Sequence, residues 1–147
     1  MGRKTARDGG QTAKALAAQV AQTEADLMAS QQADALAVAR RLKAAREAFL
    51  DVVDFVAGNT KAHPNDVFAG SVPYLMLAGN LMAGWQMGRA LLVALTPEAQ
   101  SQDAAFMSAK VTTARFYADH ILSKAPGLRD SIVEGAGSVT EMALDAF

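Results

Sequence analysis

The sequence predicts an all-α fold, an antiparallel four-helix bundle with short additional helices at the C-terminus. Apolar residues recur in steps of three and four along four segments, a spacing that places them on one face of a helix. Only four of the 147 residues are proline, and no stretch alternates apolar and polar residues for long enough to form a strand. The connections between the four segments are short, which favours antiparallel neighbours.

The first two helices follow a short basic lead. We interpret residues 1–10 as a linker from an upstream domain and residues 11–147 as the bundle domain. The first helix is predicted over residues 11–29 and the second over residues 32–57, where Gly58 ends it. The second helix has the clearest apolar stripe, and its charged residues lie off the stripe. The stripe consists of Ala35, Val38, Leu42, Ala45, Phe49, Val52 and Val56.

The third helix is predicted from Ser71 to about Leu95 and is apolar on nearly all sides. His63-Pro64, before it, is predicted to lie in a connection, because a residue that precedes proline avoids helical geometry. The helix is long enough to span a bilayer, so a small membrane-associated protein is one alternative. Its polar residues, Asn80, Gln86 and Arg89, and the amphipathic helices on both sides favour the centre of a soluble bundle.

Several side chains of the third helix are expected to have particular neighbours. Arg89 is expected to pair with an acidic residue of a neighbouring helix, and contact with a partner domain is the alternative. Trp85 is expected in the core, with an acceptor for its indole N–H. Met76, Met82 and Met87 are expected to fill the core.

The fourth helix begins at Thr96-Pro97-Glu98, which reads as an N-cap, a first-turn proline and a first-turn acid. We expect it to continue to about Lys124. His120, beside its aromatic stripe, is interpreted as a packed, hydrogen-bonded residue, with an interface or ligand contact as the alternative. The residues expected to be buried are Phe106, Ala109, Thr113, Phe116, Tyr117 and Ile121.

Short helices are predicted at the C-terminus. Pro126-Gly127 is expected to break the fourth helix, and a short helix follows near residues 128–134, ended by Gly135 and Gly137. The segment from Ser138 to Glu141 has the spacing of a capping box that opens one last short helix.

The sequence has no pattern of a common catalytic or metal site. Without cysteine it can form no disulfide, thiolate metal site or cysteine nucleophile. No glutamate is followed by histidine at the spacing of a di-iron site, and His63 and His120 are too far apart for a zinc-binding helix. A net charge of −1 gives no field that attracts nucleic acid or anionic lipid. We therefore assign no catalytic, cofactor-binding or metal residue and expect no nucleic-acid or membrane partner.

Three stretches resemble large bacterial acyl-CoA dehydrogenases with an extra C-terminal helical domain, of the 3-methylmercaptopropionyl-CoA dehydrogenase type. The first is Gly2-Arg3-Lys4 with Arg7-Asp8-Gly9-Gly10. The second runs from Tyr74 to Gly79 and continues through Gly84-Trp85 and Arg89-Ala90. The third runs from Lys110 to Ala118 and continues through His120-Ile121-Leu122, where relatives usually have proline in place of Ser123. The resemblance covers about residues 2–137.

The resemblance implies a parent enzyme that binds FAD, oxidises an acyl-CoA to the 2,3-enoyl-CoA and passes electrons to electron-transfer flavoprotein. It places the catalytic glutamate and the flavin and CoA domains upstream of Met1, so no catalytic residue of the family carries over to this chain. We therefore expect a cytoplasmic C-terminal domain with a structural role, packed on the catalytic core or between subunits. A free-standing helical interaction module has the same pattern and is the main alternative.

A domain with this role should expose an apolar surface when it is alone. We expect that surface on the third helix or near Phe116 and Tyr117, and we expect the isolated chain to cover it by forming a two-fold dimer or another homo-oligomer. The candidate interdomain or interface residues are Arg89, Phe116, Tyr117 and His120.

Overall fold

The computed structural model describes residues 2–146, and it describes the side-chain surroundings of residues 4–143, 145 and 146. This part of the chain consists of α-helices and two 3₁₀ turns and contains no strand, which confirms the all-α prediction. The helices are α1 (Gly2–Ala6), α2 (Gln11–Ala29), α3 (Ala33–Asn59), α4 (Pro64–Ala69), α5 (Ser71–Ala94), α6 (Pro97–Gln102), α7 (Ala104–His120), α8 (Ala125–Val133) and α9 (Ala136–Thr140). The 3₁₀ turns are Leu122–Lys124 and Leu144–Ala146. The predicted domain limits at Met1 and Phe147 lie outside the described residues.

Helix α3 lies at the centre of the molecule and contacts α1, α2, α4, α5, α7 and α8. Every residue of its predicted apolar stripe is buried. Phe49, in this stripe, is only 4% exposed, and its ring stacks on that of Tyr74 in α5 with centroids 6.0 Å apart. Each large side chain buried here stabilises the fold by about 1.5–3 kcal/mol.

Two ion pairs hold α2 against α3. Lys14 lies 2.6 Å from Asp54, and Arg46 donates hydrogen bonds to both carboxylate oxygens of Glu24, at 2.7 and 3.0 Å. The earlier residue of α2 pairs with the later residue of α3, so the two helices run antiparallel. The side chains of Glu24 and Arg46 are only 10% and 17% exposed. Hydrogen bonding to Glu24 raises the pKa of Arg46.

Helix α5 packs closely on its neighbours through two glycines. A Cβ atom at Gly84 would lie 2.7 Å from Leu122 Cδ2, and one at Gly88 would lie 3.2 Å from Leu27 Cδ1. Between them, Trp85 donates its indole N–H to Thr23 Oγ1 at 2.8 Å, which supplies the acceptor that the sequence required. Among the described helices, none combines the length and the apolar character that a membrane crossing needs.

The chain enters α2 through a tight turn that the basic lead forms with α1. Asp8 accepts hydrogen bonds from the backbone N–H groups of Gly10 and Thr12 and from the Thr12 hydroxyl, and these bonds lower the pKa of its carboxyl. Gly9 and Gly10 have positive φ angles of 64° and 81°, which favour glycine. A Cβ at Gly10 would lie 2.6 Å from Val53 Cγ1. The Asp8-Gly9-Gly10 segment therefore has a structural role in seating α2 on α3.

Two helical segments differ from the predictions in the first two thirds of the chain. The short lead contains α1, which packs on α3 and α4. The connection predicted around His63-Pro64 contains α4, in which His63 is the N-cap residue and Pro64 the first residue. Proline excludes helical geometry only for the residue before it and is itself favoured in a first turn, so Pro64 starts a helix.

The predicted fourth helix is divided into α6 and α7. Its start is as predicted, because Thr96 Oγ1 accepts a hydrogen bond from the N–H of Ala99 and Pro97 lies in the first turn. The helix ends at Gln102, and the Asp103 carboxylate then accepts from the N–H of Phe106 to start α7. Asp103 is a favoured N-cap residue, but the continuous helical spacing on both sides concealed the break.

The C-terminal helix boundaries were also predicted wrongly. Pro126 does not separate two helices but lies in the first turn of α8, which starts at Ala125. The capping box predicted from Ser138 is wrong, because Ser138 lies inside α9 and its hydroxyl donates to the carbonyl oxygen of Gly135. Both errors arise because proline and serine are favoured in first turns and also occur where helices end.

Replacing Phe49 by alanine should lower the free energy of unfolding by about 3–5 kcal/mol, because it removes a buried ring and leaves a cavity. Phe68→Ala is the matched control, since this phenylalanine is 54% exposed, and it should change stability by less than about 1 kcal/mol. Urea unfolding followed by circular dichroism measures both. Similar losses in the two variants would contradict the assignment of Phe49 to the core.

Arg46→Met should destabilise the protein by about 2–4 kcal/mol, because Glu24 would keep a charge without its partner. This loss is somewhat smaller than the loss expected for a fully buried pair, since both side chains are partly exposed. The double variant Arg46→Met/Glu24→Met should recover most of that loss, since it removes both charges and keeps the packing volume. The same unfolding measurement decides this. A double variant no more stable than Arg46→Met would show that the pair does not act as a unit.

Candidate interaction surface

Arg89 is exposed and does not have the acidic partner that the sequence predicted. Its guanidinium donates to Gln86 Oε1 at 3.0 Å and lies over the ring of Trp85, 5.7 Å from the centroid. No ion pair to Arg89 occurs within the described residues. The apolar residues around it suggested burial, but Arg89 lies on the outer side of α5, where its charge stays in water.

The other three candidates lie close together near the end of α7. The half-buried Tyr117 donates its hydroxyl hydrogen to the carbonyl oxygen of Asn80 in α5 at 3.3 Å, and burial raises the pKa of this phenol. Phe116 is 59% exposed, and its ring centroid lies 4.6 Å from that of the exposed His120. Phe116, Tyr117 and His120 thus lie together near the end of α7, whereas Arg89 lies apart from them on α5.

The face of α7 that was predicted to be buried points to solvent. The buried residues of this helix are Ala114 and Ala118, whereas Tyr117 and Ile121 are half-buried. The predicted burial is wrong for Phe106, Ala109, Thr113 and Phe116, which are exposed. Alanine on the inner side lets α7 approach its neighbours closely. The covered side of α7 is therefore the side with small residues and not the more hydrophobic side.

An ion-pair network fixes this orientation of α7. Arg115 donates to Asp34 at the start of α3 at 2.8 Å and also contacts Asp119 at 3.2 Å. Asp119 in turn lies 3.7 Å from Arg41 of α3. These contacts turn the charged side of α7 towards α3 and leave its aromatic residues exposed. The hydrogen bonds with Asp119 and Asp34 raise the pKa of Arg115.

Together α5 and α7 present one exposed apolar surface, which we call the α5–α7 face. The two helices pack side by side, and the Tyr117–Asn80 hydrogen bond sets their exposed stripes next to each other. Half or more of each large apolar side chain on this face is exposed, between 51% and 73%. These side chains belong to Val72, Leu75, Met76, Val93, Phe106 and Phe116. The expectation that Met76 fills the core is therefore wrong, whereas Met82 and Met87 pack partly against it.

The middle of the α5–α7 face is made of small, uncharged residues. Gly79 is exposed inside α5, and a Cβ atom there would meet nothing within 4 Å. Glycine costs a helix interior roughly 0.5–1 kcal/mol relative to alanine. Nothing within the described chain requires glycine at this position, in contrast to Gly84 and Gly88.

The charged side chains near this face are cations. Arg89 is the only charged residue in α5, and Lys110 of α7 lies over the ring of Phe106 at 5.0 Å. Groups of three or more residues able to hold a metal ion do not occur in the described part of the chain. The α5–α7 face therefore suits contact with another apolar surface better than binding of a small charged ligand.

Comparison with known proteins shows the family of this chain. The model of the family described as "Acetyl-CoA dehydrogenase C-terminal like" matches residues 11–143. The chain belongs to this family. It is also 39% identical, over 144 residues, to 3-methylmercaptopropionyl-CoA dehydrogenase of Ruegeria pomeroyi. The match covers 98% of this chain but only 24% of the relative, so the chain spans about a quarter of the relative's length. No solved structure gives a significant match.

A cleft of about 470 Å³ is an open groove between α2 and α3, lined by Ala21, Ala25, Met28 and Ala39 together with the charged side chains of Glu24, Arg40, Lys43 and Arg46. A cofactor site buries most of its ligand in a concave pocket with a few converging polar groups. This groove is instead shallow, and its two most buried polar side chains, Glu24 and Arg46, are already paired with each other.

The two kinds of glycine in α5 should respond to alanine with opposite signs. Gly84→Ala should destabilise the protein by about 1–3 kcal/mol, because the new Cβ overlaps Leu122. Gly79→Ala should stabilise it by about 0.5–1 kcal/mol through helix propensity. Chemical denaturation at submicromolar protein measures folding alone. Destabilisation by Gly79→Ala would mean that the fold itself needs this glycine.

Proposed function

We propose that this chain is the C-terminal helical domain of an FAD-dependent acyl-CoA dehydrogenase and serves there as a structural and association domain. The observation that carries the proposal is the match itself, in which nearly the whole chain aligns with one quarter of a dehydrogenase at 39% identity. The family model that covers residues 11–143 describes a C-terminal region and supports the same assignment.

The reaction that we propose for the whole protein is the oxidation of an acyl-CoA to its 2,3-enoyl-CoA. FAD, held by the rest of the protein, would supply the electron acceptor for this oxidation, and electron-transfer flavoprotein is the proposed next acceptor. The relative is named for 3-methylmercaptopropionyl-CoA, and a related acyl-CoA is the substrate class that we propose. No step of this reaction is assigned to a residue of this chain.

The domain connects to the rest of such an enzyme through α1. Thr5 Oγ1 lies 3.2 Å from the hydroxyl of Tyr74, and α1 packs on α3 and α4. The Asp8-Gly9-Gly10 turn fixes the angle between α1 and α2. We propose that the catalytic core is held at this end and that α1 acts as a rigid connection between the two.

Expression with and without the upstream reading frame tests this function. A protein that includes the upstream sequence should purify with FAD and reduce an artificial electron acceptor in the presence of an acyl-CoA. The chain from residue 1 to 147 should purify without flavin and without this activity. Absorbance at the flavin bands and acceptor reduction are the two readouts.

Two outcomes would overturn the proposal. Flavin bound stoichiometrically to residues 1–147 would place a cofactor site within this chain. A gene without an upstream dehydrogenase sequence would favour the free-standing helical interaction module instead.

A further inference from the structure

We infer that the α5–α7 face is a two-fold interface at which a second copy of this chain binds, with the two α5 helices crossing antiparallel at Gly79 and Ala83. This inference deepens the association role proposed above, but it does not depend on the flavoenzyme assignment, because it is argued from the surface of residues 71–120. It identifies which helices meet and which residues come closest.

The size of the apolar surface supports a stable interface. If each of the six large apolar side chains exposes on the order of 100 Å², together they offer roughly 600 Å², at the upper limit of the patches found on monomers. The exposed surfaces of Gly79, Gln86, Ala90 and Thr113 extend this area. The total approaches the ~800 Å² that each partner contributes to a standard protein interface.

The absence of a side chain at Gly79 is the second observation. Ala83, four residues later, lies one helical turn away, so the two small residues lie on the same side of α5. Small residues at this spacing let two helix backbones approach closely. The pair at Gly84 and Gly88 already serves this purpose inside the domain, against Leu122 and Leu27. Gly79 is free to do the same towards a second molecule.

The single charge of α5 does not oppose contact of this face with its own copy. Gly79 and Arg89 are separated by about 15 Å along the helix, so in a dimer centred at Gly79 the two Arg89 side chains lie roughly 30 Å apart. This distance exceeds the ~8 Å over which exposed charges interact at physiological ionic strength. The outer surface of α3 is different, because its many charged residues would have to be desolvated.

Helix α1 lies away from this face. Tyr74, which contacts α1 through Thr5, is buried against Phe49 on the inner side of α5. Helix α1 therefore packs next to α3 and α4, on the side of α5 opposite to the α5–α7 face.

Single thiols can map the interface because the chain contains no cysteine. In Met76→Cys, a short bifunctional maleimide should link two chains efficiently at micromolar concentration. Val139→Cys is the matched control: this position in α9 is also exposed, at 66%, but lies away from the face, and its cross-linking should be at least tenfold slower. Sedimentation velocity should show a dimer of the unmodified chain at the same concentration.

Substitutions on the face test the geometry. Leu75→Asp should abolish the dimer while circular dichroism stays unchanged, because Leu75 is 73% exposed in one copy. Gly79→Ala should weaken association by about five- to tenfold while it stabilises the fold. Gly58→Ala, at another open position, in the last turn of α3, should leave association unchanged.

Three results would overturn the inference. They are a chain that remains monomeric at all concentrations, a dimer that persists in Leu75→Asp, and equal cross-linking at positions 76 and 139. None of them bears on flavin binding by the longer protein, so failure here is distinguishable from failure of the proposed function.

Discussion

The buried stripe of α3 is the surface on which the rest of the domain depends. Helices α2, α5, α7 and α8 all pack against it, and α1 and α4 cover its later turns. A helix that contacts so many neighbours must be apolar over a wide arc, and α3 provides this with alanine and valine beside Leu42 and Phe49. Its charged residues then occupy the remaining arc, where Arg46 and Asp54 fix α2. Burial and helix pairing are thus set by the same element.

Small residues decide how closely the other helices approach this centre. Gly84 and Gly88 let α5 pack tightly against Leu122 and Leu27, and Ala114 and Ala118 are the buried residues of α7. Helices that pack through small residues leave their larger side chains at the margins or outside. The exposed apolar surface of α5 and α7 is therefore a consequence of how the core is built. Such a surface is costly in water unless another molecule covers it.

Helix α1 and the exposed apolar α5–α7 face lie on different sides of α5. The turn at Asp8, Gly9 and Gly10 and the Thr5–Tyr74 contact tie α1 to the inner side of α5. The α5–α7 face lies on the outer side of the same helix. A domain arranged in this way can be attached rigidly to one body and still contact a second one. This arrangement is consistent with a structural role in a larger enzyme, in which the chemistry is performed elsewhere.

The sequence by itself determined the all-α fold class, the approximate extent of α2, α3 and α5, the buried stripe of α3, the capped start at Thr96 and the need of Trp85 for an acceptor. These features depend on local spacing and on the chemistry of single side chains. Only the tertiary structure decided which side of α5 and α7 is covered. Helix α5 is apolar all round, so hydropathy does not select a side, and on α7 it favours the phenylalanine stripe over the alanines that are buried. Burial depends on how closely two backbones can approach and on ion pairs such as Arg115–Asp34, and both are properties of helix pairs.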